Sequence, residues 1–141
     1  MKAFKRILVG LKEKDHAAEL AELACRLAAR GARLWLVHVV DLPAATPLDA
    51  EVPGLDAQTK AIVGAAARVV RRHRLKPSPL VLRARFAGQA LVEELKEKRI
   101  ELAVVGYHRK RTLEEILLGT THQYLARHAP CRLLVSIAPA A

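Results

Sequence analysis

Five short aliphatic runs, separated by segments with helical spacing, constrain this chain more than any other feature. The runs are KRILVGL (5–11), ARLWLVHVVD (32–41), LVLRARF (80–86), IELAVVG (100–106) and RLLVSI (132–137). Each is rich in Val, Ile and Leu and too short for an independent helix, the pattern of buried strands. After the first run, Asp15 is placed to cap a helix. Leu20, Leu23, Ala24 and Leu27 repeat at helical spacing, and Gly31 stands where that helix should stop. Residues 42–54, with Pro43, Pro47, Pro53 and Gly54, read as a long loop.

Asp56 is expected to cap a second helix with Ile62, Ala66, Val69 and Val70 inward. RRHRLK (71–76) ends it, cations in a last turn being favoured by the helix dipole. Pro77 and Pro79 are expected to close that segment before the third strand, whose alternation places it near an edge. Gly88 starts a third helix through Lys98, with Leu91, Val92 and Leu95 inward. A fourth helix is expected from Gly119 to about His128, ahead of Pro130.

The alternation β-α-β-α-β-α-β-α-β implies an α/β fold, a parallel sheet covered by helices on both faces in three layers. Its crossovers should be right-handed. Ligands of doubly wound sheets bind beyond the C-terminal strand ends, at the topological switch point. The loops after Leu11, Asp41 and Gly106 are therefore the candidate site. There is no internal repeat.

With 52% hydrophobic residues but only 4% aromatics, the core must be aliphatic. No apolar run reaches the roughly 20 residues that cross a bilayer. The opening MKAFKRILVGLKEKD turns charged too soon for a signal peptide, so a soluble cytoplasmic protein is expected. Cys25 and Cys131 form no CxxC pattern and are expected to be buried, reduced thiols. The six histidines lack metal-ligand spacing, no metal is expected, and His38 reads as a strand residue. The net charge of +10 is the compositional outlier and favours anionic partners.

The most informative stretch is GYHRKRTLEEILLGTT (106–121). Glycines at a strand end and a helix start can bring backbone N–H groups up to phosphate; the alternative is a plain turn and cap. The row His108, Arg109, Lys110, Arg111 is either a solvated basic loop or an anion clamp. Tyr107 either covers a base or packs. There is no GxGxxG fingerprint and no P-loop. No catalytic set emerges: Glu114 and Glu115 face no nucleophile, and Ser78 and Ser136 lack His–Asp support. A dedicated enzyme is not expected; slow hydrolysis of bound ATP is the most this chain would do.

Gly106 and Gly119 are thirteen residues apart, and Thr120 follows. In this the sequence resembles the universal stress protein family, whose nucleotide-binding members carry G-x2-G-x9-G-[ST] after the fourth strand. The stretch LAVVGYHRKRTLEEILLGTTHQYLARHAPCRLLVS is similar to that family's C-terminal third. LVHVVD and ILVGLKEKDHAAELAELACRLA are similar to its second strand and to its first strand and helix.

The resemblance implies one domain over residues 1–141, a Rossmann-like sheet in the order 3-2-1-4-5, and a homodimer through residues 132–137. In some members each subunit binds ATP. Carried over, Gly106, Gly119, Thr120 and Thr121 lie at the phosphates and Val39 beside the adenine. Two positions depart from the pattern. The second glycine is Arg109, whose side chain crowds a close phosphate approach. The first-strand aspartate is Lys12, within KEK in place of D-G-S.

The expectation is therefore a stress-response regulator with an adenine-nucleotide or other anion pocket, altered from the family's ATP site. Arg109 joins the candidate ligand residues, as a cation replacing a lost backbone contact. The alternative is a dimeric member that does not bind ATP and works by partner contact. A third class, a nucleic-acid binder, rests on charge alone, without aromatics for stacking or a reading motif. Binding to random DNA is expected to be weak and steeply salt-dependent.

Overall fold

In a computed structural model that describes residues 3–51, 54–108 and 120–138, the chain alternates strand and helix throughout. The strands are β1 (Phe4–Leu11), β2 (Ala28–Asp41), β3 (Lys76–Ala84), β4 (Leu102–His108) and β5 (Arg132–Ala138). Between them run α1 (Lys14–Arg26), α2 (Leu55–Arg72), α3 (Ala87–Glu97) and α4 (Thr120–His128). All pairings are parallel, in the order β3-β2-β1-β4-β5.

Side chains alternate across each strand, so each face of the sheet buries its own aliphatic layer. Ile7, Val9, Leu34, Leu36 and Val104 pack against α1 and α2. Leu8, Val37, Ala103 and Val105 pack with Leu91, Val92 and Leu95 of α3 and Leu125 of α4 on the other face. Burying one such side chain contributes about 1.5–3 kcal/mol, and shortage of aromatics leaves this work to Leu, Val, Ile and Ala.

Several boundaries differ from those read in the sequence. α1 stops at Arg26, not at Gly31. The Phe4 amide donates to the Leu27 carbonyl at 2.9 Å, and the chain enters β2 at once. Phe4 pairs with Ala28 but Arg6 pairs with Arg33, so β2 carries extra residues at this point. Gly31 lies in that bulge with φ +76, a left-handed conformation that glycine adopts without steric cost. The N-cap positions of α1 and α2 are Glu13 and Gly54, and neither helix start is capped by a side-chain hydrogen bond from that position. Asp15 and Asp56 sit in the first turns instead, where a carboxylate still complements the dipole.

Pro77 and Pro79 do not precede the third strand but lie within it. β3 is an edge strand, bonded to β2 alone, and an edge tolerates a missing backbone donor. The third helix begins at Ala87, one residue before Gly88. β4 runs on past Gly106 to His108. Cys25 is buried as expected, but Cys131 is only half-buried. No described helix is long and apolar enough to cross a membrane.

Candidate functional site

The strands at the centre of the sheet end at different heights. β1 stops at Leu11, level with His38 of β2. β2 continues through Val39, Val40 and Asp41, bonded to β3. On the other flank Gly10 is level with Val105, and β4 continues through Gly106, Tyr107 and His108, bonded to β5. The result is a notch above the end of β1, with Val39 on one wall and Gly106 on the other. Two interstrand spacings make it about 10 Å wide. It lies between β1 and β4, where successive connections leave in opposite directions, the switch point of a doubly wound sheet.

The floor of the notch is held by a side chain. His38 is buried, and its Nδ1 donates to the Leu11 carbonyl at 3.0 Å. That bond satisfies a carbonyl at the point where β1 ends. Lys12 follows, exposed, where the resemblance places an aspartate. Val39 is half-buried and packs toward the α3 and α4 layer.

The Gly106 wall is joined to two helices. His122 Nε2, in the first turn of α4, donates to the Gly106 carbonyl at 2.9 Å. This draws the N-terminus of α4, with exposed Thr120 and half-buried Thr121, to the end of β4. The His122 ring also meets Tyr107 edge-on, with ring centroids 5.5 Å apart. Tyr107 thus has a packing role here. On the opposite face, His16 of α1 fills the space over Gly106: a β-carbon there would lie 2.5 Å from its Cε1. The His16 side chain is buried, with Nε2 3.8 Å from the Glu19 carboxylate.

Of the residues singled out in the sequence, Val39, Gly106, Thr120 and Thr121 lie on strand ends and a helix start around one notch, beside Lys12. Arg109 and Gly119 lie outside the described residues, as do Lys110 and Arg111. His16, His38 and His122 escaped notice as site residues because isolated histidines in helices and strands form no motif. The available signal was positional. His16 precedes the buried helical series Ala17, Leu20, Ala21 and Ala24, and His122 follows the Gly119–Thr120 pair. Among the described residues no group of three or more His, Cys, Asp or Glu side chains could hold a metal ion.

Residues 3–136 match the Universal stress protein family, nearly the whole chain. The chain belongs to the universal stress protein family. The Rossmann-like architecture is shared by solved members. The universal stress protein from Archaeoglobus fulgidus is 18% identical over 94% of this chain and 98% of that chain, with a TM-score of 0.74. The Archaeoglobus fulgidus protein in complex with dAMP is 18% identical, covers 94% and 97%, and has a TM-score of 0.68. A family protein from Arabidopsis thaliana with AMP bound is 16% identical, covers 93% and 89%, and has a TM-score of 0.60. No curated protein matches the chain in sequence.

Proposed function

We propose that this universal stress protein is a cytoplasmic, dimeric regulator whose notch binds an adenine nucleotide or a related phosphorylated anion, without a dedicated catalytic activity. The observation that carries this reading is the His122–Gly106 bond of 2.9 Å. It brings the N-terminus of α4, where N–H groups and partial positive charge favour phosphate, to the end of β4. The adenine nucleotides in related structures support the choice of ligand. In this reading Gly106, Gly119, Thr120 and Thr121 face the phosphates and Val39 the base. Arg109 and Lys12 make the pocket differ from an ATP site built on a glycine and an aspartate.

Isothermal titration with ATP, AMP and phosphate tests it. Wild type should bind at least one of them, and Gly119→Val should weaken all. Absence of any binding at millimolar concentration would sink the reading.

A second reading is favoured by His16, whose ring fills the space beside Gly106 from the α1 side. In that reading the glycine serves packing, the nucleotide is lost, and the protein acts through its dimer and a protein partner. The same titration separates the two.

A further inference from the structure

The charge of this protein is concentrated at one edge. The N-terminal end of the sheet is built from five segments: 4–6, 26–33, 71–76, 96–101 and 127–132. Together they hold fourteen of the chain's 24 Lys and Arg residues, but only two of its 14 carboxylates, Glu97 and Glu101. The rest of the chain carries ten cations against twelve carboxylates. The net charge of +10 is thus owed to the edge opposite the notch.

Within the five segments cations outnumber carboxylates seven to one. Arg26 pairs with Glu22 and Lys98 with Glu94, and the His73 ring meets the Glu22 carboxylate at 2.7 Å. Glu101 accepts from the backbone amides of Lys5, at 2.7 Å, and Arg6. Some of the guanidinium groups are held in place. Arg6 and Arg33 lie over the Trp35 ring at 4.8 and 4.7 Å from its centroid. Arg6 Nε donates to the Lys98 carbonyl and Arg33 Nε to Ser78 Oγ. The bulge at Gly31 leaves Arg30 exposed.

A second observation is independent of the charge. Arg74 and Arg99, in the turns after α2 and α3, have φ of 59° and 52°. Helices commonly close on such a residue, but it is usually glycine, and a side chain there costs about 1 kcal/mol. Among the described residues the two non-glycine residues with positive φ are exposed arginines on this one edge.

We propose that this edge binds the phosphate backbone of double-stranded DNA without reading its sequence. Ten of its fourteen cations are arginine, whose planar fork matches phosphate oxygens. Five strands about 4.8 Å apart give an edge of roughly 20–25 Å, or about six to seven base pairs. Single strands fit less well, because base stacking needs exposed aromatics and Trp35 is buried. A membrane surface fits less well, because among the described residues the large exposed hydrophobics, Leu48, Val81, Phe86 and Ile137, lie outside the five segments. An RNA duplex presents phosphate as well, and a comparison of the two duplexes decides between them.

The test uses glycine at the two left-handed positions. The double variant Arg74→Gly/Arg99→Gly removes two cations while suiting the backbone, so the melting temperature should hold or rise. Fluorescence anisotropy with a random 20-base-pair DNA duplex should show affinity reduced several-fold. The slope of log K against log salt should fall by up to about 1.8, if both cations contact phosphate. The charge-matched control Lys60→Gln/Arg68→Gln, on the outer surface of α2, should leave affinity nearly unchanged. An equal loss in both variants would show that only overall charge matters and would overturn the proposal. So would tighter binding to RNA duplex, to single strands or to phosphatidylserine vesicles, or no duplex binding at 50 mM salt.

Discussion

The His16 ring occupies the space that a β-carbon on Gly106 would need, with Cε1 2.5 Å and Nδ1 2.6 Å from that position. His16 is buried at the start of α1, so its ring cannot simply swing into solvent. Glycine at 106 is thus required by packing whether or not a ligand is present. Gly106→Ala should destabilise by about 1–3 kcal/mol, the range for forcing atoms into a filled core. Adding His16→Ala should recover most of the loss attributed to the clash, measured by urea unfolding in a double-mutant cycle. Equal costs of the alanine in both backgrounds would show that His16 is not the cause.

Lys12 stands beyond the end of β1 where nucleotide-binding relatives are expected to place a carboxylate. A charged hydrogen bond contributes about 1.5–3 kcal/mol, or roughly tenfold to a hundredfold in affinity. Lys12→Asp should therefore tighten ATP binding by about tenfold or more in isothermal titration. Arg109→Gly should preserve or improve it. Weaker binding in both variants would make the two cations ligands in their own right.

β5 is bonded to β4 alone among the described residues, and Leu133, Leu134 and Val135 remain half-buried. An aliphatic edge of this kind invites pairing with a second copy. Sedimentation should find wild type dimeric at micromolar concentration and Val135→Lys monomeric. A monomeric wild type would refute the proposed assembly through residues 132–137.

Burial, with a smaller contribution from the nearby Glu22 carboxylate, pushes the Cys25 thiol from its ordinary 9.0 up to about 11. The neutral thiol is favoured in the fold, so the unfolded chain loses its proton first as pH rises. Stability should be intact below about pH 9 and fall progressively toward about pH 11. Cys25→Ala should flatten that part of the curve, at a cost in packing at neutral pH. Chemical denaturation between pH 8 and 11 checks this, and an unchanged alkaline slope would contradict it.

The alternation of aliphatic runs and helical segments was enough to determine the parallel doubly wound class, because solvent exclusion from both sheet faces demands that pattern. The spacing of Gly106, Gly119 and Thr120 pointed to the family and to one end of the sheet. Chain ends and turns were less legible, since local signals compete there with tertiary contacts. Gly31 looked like a helix stop, but the Phe4–Leu27 bond ends α1 earlier and leaves the glycine in a bulge. Pro77 and Pro79 read as the close of the segment before the third strand, but they lie within β3, where an edge position needs fewer backbone donors. The notch exists because β1 stops three residues below the end of β2 and two below that of β4, a difference in height that only register creates. Net charge could be counted from the sequence. Its gathering at one edge required a fold in which parallel strands all begin on the same side, bringing five distant basic turns together.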